Sequence, residues 1–377
     1  MRTLTIASLI LLFAYPFVIF PAVLSLWARR KRRQSATSEQ ADYPAVVLLI
    51  CALNEQRIIR AKIENSLQLR YPAEKLAVVV ISDGSTDRTA EIVREYHDVG
   101  VVLIERNQRR GKIANLNEVI PARSEEIVVL SDANVLYHPD AVLRLVARFS
   151  DPTVGCVSGK VILRDTTPDL DGPTGQYYSL EWRLQEDSSI IYSMAGADGA
   201  MYALRRTLFR PCPNDTLIED FIIPMQVILQ GRRVVLEPKA LGWEKGVTSL
   251  AEDFRRKVRI AAGAAQGLLR GNALPKNAPA QFWFIFVSHK LLRWLSPITG
   301  GLIVFAAVIW SSEPAARIVL AGIAAIAILA MLRALTGWKH ALVSAPFYFL
   351  FAEIALAIGL LKGLTGAQTV LWAKEDR

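Results

Sequence analysis

Residues 76–87 carry the stretch LAVVVISDGSTD, a β-branched apolar run that stops abruptly at polar residues. The apolar half predicts a buried strand. Asp83 and Gly84 follow it directly, and a carboxylate followed by a glycine is typical of a tight turn at a strand end. Thr86 or Asp87 then stands where a polar side chain would cap the next helix. This strand, turn and helix form the unit from which the fold is predicted.

The same alternation of short apolar runs and helical patterns continues along the middle of the chain. Further strands are predicted at Ala45–Cys51, Val99–Glu105, Ile127–Ser131 and Val154–Val161, and helices at Glu55–Leu69, Thr86–His97, Lys112–Ile120 and Pro139–Phe149. Alternation of this kind predicts a parallel sheet with helices on both faces. Ligands bind at the carboxyl ends of the strands in such sheets, so the polar residues that follow the strands are candidate site residues.

The chain has 377 residues and is 52% hydrophobic, with its longest apolar runs near the two ends. Residues 1–28 contain a run long enough to cross a bilayer, and residues 291–362 contain about three more. The basic run Arg29–Arg33 follows the first apolar run rather than preceding it, which predicts an anchor rather than a cleaved signal. The positive-inside rule then places the N-terminus outside and the next domain in the cytoplasm.

Charge and cysteine content exclude several classes of protein. The net charge is +9, and much of the excess lies in Arg29–Arg33 and Arg255–Arg259, beside the predicted membrane segments. These clusters are predicted to contact anionic lipid rather than nucleic acid, because no nucleic-acid motif accompanies them. Cys51, Cys156 and Cys212 form no disulfide or zinc pattern, which fits a reducing cytoplasm. The sequence also has no dinucleotide or Walker loop.

These patterns divide the chain into six parts. They are a transmembrane anchor (1–28), a basic juxtamembrane linker (29–43), an α/β domain (44–240), amphipathic interfacial helices with a basic motif (241–290), about three C-terminal transmembrane helices (291–362) and a tail (363–377). Three crossings after the anchor would leave the C-terminus outside, although the charges of the tail do not decide this.

A basic turn precedes the third predicted helix. Residues 109–112 read RRGK, with Lys112 at the start of the helix. The segment is either a plain basic turn or a site where cations and helix N-terminal amides bind a diphosphate. Asn115 and Asn117 make the helix unusually polar, which favours the phosphate interpretation.

Acidic residues stand at two further positions. Asp132 and Asn134 follow a fully apolar strand, as an Asx-type turn or as oxygen ligands for a hard divalent cation. Glu219 and Asp220 begin a helix predicted to end near Gly231. Acids are favoured at a helix start, but Asp220 is also suited to remove a proton from an acceptor hydroxyl.

Two short loops complete the candidate site. Asn54 and Glu55 follow the first predicted strand. The loop Gly196-Ala197-Asp198-Gly199 consists mostly of small residues. Such a loop either forms a tight turn or lets the backbone approach a bulky ligand.

In their order and spacing, these motifs resemble the membrane-bound family 2 glycosyltransferases, the inverting group that includes cellulose, hyaluronan, chitin and poly-N-acetylglucosamine synthases. The resemblance covers about Pro44 to Gly267 and the flanking membrane layout. It implies a GT-A fold, an α/β Rossmann-like nucleotide-diphospho-sugar transferase domain in the cytoplasm, together with α-helical transmembrane segments.

The resemblance also implies a role for each motif. It places Asp83 on the uracil and ribose, and the D-x-D equivalent Asp132-Ala133-Asn134 on the sugar diphosphate and on Mg²⁺ or Mn²⁺. The resemblance implies that the nucleotide-sugar is bound by Asn54, Glu55, Asp83, Gly84, Lys112, Asp132 and Arg259. It implies Asp132 and Asn134 as metal ligands, and Asp220, as the base, and Glu219 as catalytic residues. The implied acceptor-side loop consists of Gly196, Ala197, Asp198 and Gly199.

Two departures from the family pattern stand out. The second D-x-D acid is the neutral Asn134, which either weakens metal binding or leaves it to the side-chain carbonyl and Asp132. The Q-x-x-R-W motif of strongly processive synthases is replaced by residues 256–260, RKVRI, which keep Arg259 but lose the tryptophan. Arg259 then either pairs with the diphosphate or belongs to a segment that binds lipid headgroups.

The expected function is inverting transfer of a hexose or N-acetylhexosamine from a UDP-sugar to a growing polysaccharide or lipid-linked glycan. We expect a multi-pass protein of the bacterial inner membrane with a cytoplasmic catalytic domain. Its expected partners are the donor, the glycan or lipid acceptor and the bilayer, but no nucleic acid; an accessory subunit or oligomer is left open. One alternative is a single-addition transferase that glycosylates a membrane lipid, and another is an inactive nucleotide-binding scaffold.

Overall fold

A computed structural model describes residues 1–32, 43–164, 168–246 and 249–369. The predicted linker (29–43) and tail (363–377) therefore lie partly outside the described residues. Within them, the chain forms an α/β domain that is preceded by one long helix and followed by several others.

An eight-stranded sheet forms the centre of the α/β domain. Its strands are β1 (Val46–Ala52), β2 (Leu76–Asp83), β3 (Val101–Arg106), β4 (Ile127–Asp132), β5 (Val135–Tyr137), β6 (Val154–Arg164), β7 (Met201–Arg205) and β8 (Arg233–Lys245). They lie in the order β3-β2-β1-β4-β7-β6-β8-β5. β1 pairs in parallel with β2 and β4, and β2 pairs in parallel with β3.

The sheet is mixed, so the prediction of a parallel sheet was wrong for its second half. β7 runs antiparallel to both β4 and β6. Hydrophobic periodicity shows which side chains are buried but carries no information on strand direction. Since Met201 pairs with Ser131, β7 begins where β4 ends, and the loop at residues 196–199 is delivered to that edge.

The sheet also continues beyond the predicted domain end at residue 240. β8 runs to Lys245 and pairs in parallel with β6 and antiparallel with β5. Residues 241–245 therefore belong to the sheet rather than to the interfacial helices.

Helices cover both faces of the sheet, as predicted. They are α3 (Ile59–Leu67), α4 (Thr89–Arg94), α5 (Lys112–Val119), α6 (Ala141–Ala147), α7 (Pro168–Ile191) and α8 (Glu219–Leu229). Successive side chains of a strand point to opposite faces. Val46, Leu48 and Ile50 of β1 accordingly pack with α3, α4 and α6, whereas Val47 and Leu49 pack with α5 and α8.

Further helices, several of them long and apolar, flank the domain. The N-terminal one comprises α1 (Arg2–Ala14), a π-helical turn and α2 (Phe20–Arg32); the C-terminal ones are α9 (Leu250–Leu269), α10 (Ala280–Phe286), α11 (Leu292–Trp294), α12 (Ser296–Ile309), α13 (Pro314–Thr336) and α14 (Ala341–Thr365). Arg2–Arg32, α13 and α14 are each long and apolar enough to cross a membrane.

The segment predicted as one crossing over residues 291–310 is bent. Ala280–Trp294 and α12 meet at 59°, and the pair is a fourth candidate span only if it crosses as one unit. Pro297 lies in the first turn of α12, where its missing N–H is tolerated but the preceding helix cannot continue unbroken. At the bend, Trp294 packs edge-on against Phe221 of α8, with ring centroids 5.3 Å apart.

The last helix lies parallel to α9. The rings of Phe254 and Phe351 are 5.2 Å apart near the start of the contact. Further along, a β-carbon at Gly359 would lie 2.5 Å from the Ala261 side chain, and one at Gly363 would collide with the α9 backbone. The two glycines therefore permit a close approach of the helix backbones.

Candidate active site

The predicted polar loops meet at the carboxyl edge of β1, β2 and β4. Asn54, after β1, adopts a left-handed backbone conformation with φ 54°. Its side-chain oxygen accepts the Thr86 amide at 2.8 Å, and its own amide donates to the Ser85 hydroxyl at 3.1 Å. The Glu55 amide donates to the Thr89 hydroxyl at 2.7 Å. The loops after β1 and β2 are thus held together as one surface.

Asp83, at the end of β2, is buried and anchors the basic loop. Its carboxylate accepts three hydrogen bonds of 2.8 Å, from the amides of Arg110 and Gly111 and from the Asn115 side chain. Gly84 has φ 71°, and a β-carbon there would lie 2.5 Å from the backbone of the same loop. The structure therefore gives Asp83 a loop-organising position, while its contact with a nucleotide stays a prediction.

Lys112, the first residue of α5, lies between two carboxylates. Its ammonium nitrogen is 2.7 Å from Asp132 Oδ1 and 2.8 Å from Glu219 Oε1. Burial alone would lower the pKa of Lys112, but the two carboxylates hold it well above its usual value. Burial would raise the pKa of Glu219, but Lys112 holds it below the usual range. The lysine therefore stays charged and links the end of β4 to the start of α8.

Asp220 lies beside the loop at residues 196–199. A β-carbon at Gly199 would lie 2.8 Å from Asp220 Oδ2, and the Ala197 amide donates to the Asp220 carbonyl oxygen at 2.9 Å. Gly196 has φ 92° and passes close to the Phe221 ring. Burial, and then the neighbouring Glu219, raise the pKa of the Asp220 carboxyl to about 6. A carboxyl group so adjusted can accept a proton near neutral pH.

Asp198, in this loop, is a second partly buried carboxyl group. Its amide donates to the Ser158 hydroxyl at 2.9 Å, and its Oδ1 accepts the Ala200 amide at 3.1 Å. Burial raises its pKa to about 7, with Glu244 adding to the rise and Arg256 opposing it. The loop thus brings a second titratable group towards the acceptor side of the predicted site.

The basic motif of α9 reaches the same cluster. Arg259 lies within electrostatic range of Glu219 and Asp220 and lowers the pKa of both carboxyls. Gly263, one turn later, packs against the side chain of Ile218, the residue before Glu219. α9 therefore both supplies a cation to the site and supports the start of α8.

The predicted site residues form two linked groups. Lys112, Asp132, Glu219, Asp220, Arg259 and the loop at 196–199 come together in one cluster, whereas Asn54, Glu55, Asp83 and Gly84 form the adjoining loop surface. Cys51, at the end of β1, joins them, because Lys112, Asp132, Glu219 and Asp83 all lie within its electrostatic range.

The donor set at the end of β4 fits a divalent cation. Asp132 supplies a half-exposed carboxylate, whose Oδ1 accepts the Lys112 bond. Asn134 donates its amide nitrogen to Glu244 at 2.8 Å, which leaves its oxygen for a ligand role. Carboxylate and amide oxygens are ligands that hard cations prefer. No group of three His, Cys, Asp or Glu side chains suited to a metal occurs among the described residues.

Sequence reasoning missed two charged residues beside this motif. Glu244 lies far along the chain in β8 and carried no motif signal. Lys62 is fully buried on α3, donates to the Val135 carbonyl oxygen at 2.5 Å and lies 3.8 Å from the centroid of the Tyr137 ring. Its position between Ile59 and Ile63, on the apolar face of the helix, was the only available signal.

Comparisons with known proteins agree with this architecture. Residues 47–211 match the family model described as glycosyl transferase family 2. The chain is 27% identical over 266 residues to a poly-beta-1,6-N-acetyl-D-glucosamine synthase of Staphylococcus epidermidis, covering 68% of this chain and 61% of the relative. A synthase of the same name from Staphylococcus aureus (strain COL) is 27% identical over 237 residues, covering 61% and 57%. The chain thus spans about 60% of the length of these curated relatives.

A solved structure extends the comparison to the helices that flank the domain. A mannosyltransferase from Pyrobaculum calidifontis, in complex with GDP-Man and Mn²⁺, matches with a TM-score of 0.74 at 24% identity. The match covers 96% of this chain and 99% of that chain. It confirms the predicted GT-A fold with accompanying helices. Residues 47–211 thus carry a glycosyl transferase family 2 domain, and the chain is similar to the poly-β-1,6-N-acetyl-D-glucosamine synthases.

Proposed function

We propose that the chain transfers a sugar from a UDP-sugar to a hydroxyl group of a growing polysaccharide or lipid-linked glycan, with inversion at the anomeric carbon. The observation that carries this proposal is the position of Asp220, a partly buried carboxyl whose oxygen faces Gly199 and whose pKa is raised to about 6. Lys112 and Arg259 lie on the same cluster. The site thus combines a base with cations, as direct sugar displacement requires.

We propose that the nucleotide-sugar donor binds at the loop surface that Asp83 organises. The amides of Arg110 and Gly111 are held by its carboxylate, immediately before the N-terminus of α5. A helix N-terminus with a lysine at its first position is suited to a diphosphate. Asn54, Glu55 and Gly84 complete the surface proposed for the nucleotide. The names of the relatives favour an N-acetylhexosamine as the sugar.

In the proposed reaction, Asp220 accepts the proton of the acceptor hydroxyl as its oxygen attacks the anomeric carbon. The bond between that carbon and the diphosphate oxygen breaks, and UDP leaves with the bonding electrons. Lys112 and Arg259 offset the negative charge that develops on the diphosphate. A bound Mg²⁺ or Mn²⁺, held by Asp132 and Asn134, would supply further Lewis-acid stabilisation of the diphosphate. The loop at 196–199 orients the acceptor beside Asp220.

A cytoplasmic location for this domain is supported by the basic C-terminal end of α2. Arg2 and Glu313 form an ion pair at the opposite end of the helices, which supports a position of the start of α13 on the far side. The later part of α13 returns to Phe254 of α9, and α14 then runs along α9. We therefore place α14 in the membrane interface and the C-terminus in the cytoplasm, whereas three crossings after the anchor would leave the C-terminus outside.

The packing at the end of α14 supports this topology. Lys362, Gly363 and Leu364 share a cavity of about 320 Å³ with Asp215 and Leu217, which precede the proposed base in sequence. A reporter that is active only in the cytoplasm, fused after residue 377, should be active in cells. An inactive fusion, with an active outside-specific reporter at the same position, would contradict the placement.

The proposed reaction is tested by Asp220→Asn in the purified full chain, supplied with a panel of UDP-sugars. Donor binding should persist, whereas transfer should fall by roughly 100-fold or more. Asp98→Asn, at a fully exposed position, is the matched control and should transfer normally. Persistent transfer by Asp220→Asn would remove the base assignment, and no transfer by the unaltered chain would favour an inactive scaffold.

Product length separates polymer synthesis from single addition. With donor in excess, a synthase gives a ladder or a long polymer, whereas a single-addition transferase gives one discrete glycolipid. Mass spectrometry of the lipid and water-soluble fractions measures the difference. A single discrete product would overturn the polymer proposal and leave the transferase proposal intact.

A further inference from the structure

A carboxylate outside the sequence motifs lies beside the neutral position of D-x-N. Glu244 Oε1 accepts a hydrogen bond from Asn134 Nδ2 at 2.8 Å. The contact arises from tertiary structure, because β5 and β8 pair antiparallel with Val135 opposite Glu244. The register therefore brings Glu244 to the end of β4, next to the position where the family pattern has its second acid.

We propose that Glu244 is a positioning residue of the divalent-cation site and supplies the negative charge that Asn134 lacks, an inference that rests on the proposed function. Asn134 has one donor end and one acceptor end in its amide. Because the nitrogen donates to Glu244, the oxygen faces away from that carboxylate. The hydrogen bond thus selects the amide orientation in which oxygen is presented to a cation. Residues next to metal ligands commonly act in this way.

The strand that carries Glu244 is firmly held at this end. The guanidinium carbon of Arg164 lies 4.6 Å from the centroid of the Trp243 ring. The centroids of the Trp243 and His138 rings are 6.1 Å apart. On the opposite strand, β5, the carbonyl oxygen of Val135 accepts a hydrogen bond from Lys62 of α3. Both partners of the Asn134–Glu244 bond are therefore attached to fixed backbone, which a positioning contact requires.

The charge of Glu244 matters because Asp132 is already paired. The Lys112 ammonium lies 2.7 Å from the Asp132 carboxylate, so this pair offers a divalent cation little net negative charge. Asn134 adds none. Glu244 places a second carboxylate on the other side of the motif, and its field also reaches Asp198 in the acceptor-side loop. A neutral residue at position 244 would remove this carboxylate from beside the motif.

A purely structural role for Glu244 makes a different prediction. If Glu244 only closes the end of the β5–β8 pair, then Gln at position 244 keeps an oxygen acceptor for Asn134 and should behave normally. If its charge serves the cation, then Glu244→Gln should weaken cation binding without a comparable loss of stability. The double variant Asn134→Asp/Glu244→Gln moves the charge to the D-x-D position and should restore cation binding.

The experiment measures Mn²⁺ binding to the purified full chain with UDP, by electron paramagnetic resonance of free Mn²⁺. Glu244→Gln should bind Mn²⁺ roughly 10- to 100-fold more weakly. The double variant should return to near the affinity of the unaltered chain. Glu237→Gln, on the same strand but paired with Arg148, is the control and should bind normally. Thermal unfolding of each variant is measured alongside.

The outcomes separate this inference from the proposed function. Normal Mn²⁺ binding by Glu244→Gln, or no recovery in the double variant, would overturn the role of Glu244 and leave the transferase proposal standing. Failure of the unaltered chain to bind Mn²⁺ with UDP would instead remove the metal from the proposed reaction. Weak binding by Glu244→Gln that recovers in the double variant supports the inference even if Glu244→Gln unfolds at a lower temperature.

Discussion

Gly199 leaves the space in which the Asp220 carboxylate lies. A β-carbon at position 199 would be 2.8 Å from Asp220 Oδ2 and 3.0 Å from its β-carbon. The loop at residues 196–199, which the family resemblance assigns to the acceptor side, thus also packs against the side chain of the proposed base. Since both residues lie on short backbone segments joined by the Ala197–Asp220 hydrogen bond, neither can move freely.

Gly199→Ala should therefore displace the Asp220 carboxylate and lower kcat by roughly 10- to 100-fold, because small misplacements of a reacting group are costly. UDP binding should change less than kcat, since the hydrogen bonds of Asp83 go to Arg110, Gly111 and Asn115 rather than to this loop. Steady-state kinetics and UDP titration measure the two effects. Gly322→Ala, which meets no atom within 4 Å, is the control. Full activity in Gly199→Ala would show that the carboxylate position is not critical.

The rate of transfer should depend on the ionisation of Asp220. Its pKa is raised to about 6, and only the ionised form accepts a proton. We expect kcat/KM to rise about tenfold per pH unit below pH 6 and to level off above it. A pH profile between 5 and 8 checks this expectation. A flat profile over that range would rule out Asp220 as the titrating base.

The raised pKa of Asp220 also predicts how the stability of the protein depends on pH. The folded-state pKa of Asp220 lies above its unfolded value of about 4, so the associated stability is present below pH 4 and is lost as pH rises through about 6. Asp220→Asn removes this partly buried charge and should unfold at a higher temperature than the unaltered chain at pH 7.5. The difference should vanish near pH 4. Thermal unfolding in detergent measures it; a less stable variant at pH 7.5 contradicts the prediction.

Asp83→Asn should loosen the basic loop. Two oxygens of Asp83 accept three N–H groups, and an amide would turn its own N–H towards one of these donors. We expect a loss of about 1–3 kcal/mol in stability and a larger rise in donor KM than fall in kcat. UDP titration and kinetics test this, with Asp98→Asn as the exposed control. Unchanged donor affinity would mean that the loop does not bind the diphosphate.

Lys112→Met should leave Asp132 and Glu219 without their shared cation. We expect kcat to fall by roughly 100-fold or more, since the lysine no longer stabilises the departing diphosphate. The pKa of Glu219 should rise towards that of a buried carboxyl, which would alter the pH profile. Lys112→Arg keeps the charge and should retain more activity. Equal activity in Met and Arg variants would exclude an electrostatic role.

The strand, turn and helix around Asp83 illustrate what local sequence determines. Short β-branched apolar runs predicted β1 to β4 and β6 with ends within a few residues of the observed ones, because such runs depend on neighbouring residues. The strands β5, β7 and β8 were not predicted. The apolar helices were found for the same reason. The motifs at Asn54, Asp83, Asp132 and Asp220 were recognised because each lies at the end or the start of such an element.

Only the tertiary structure decided which distant groups meet. Strand direction set β7 antiparallel, and the β5–β8 register brought Glu244 to Asn134 across 110 residues. The same applies to the burial of Lys62. These contacts depend on long-range pairing and side-chain packing, which leave no periodic trace in the sequence. The sequence by itself determined the elements and their candidate motifs, whereas packing determined the charge balance of the site.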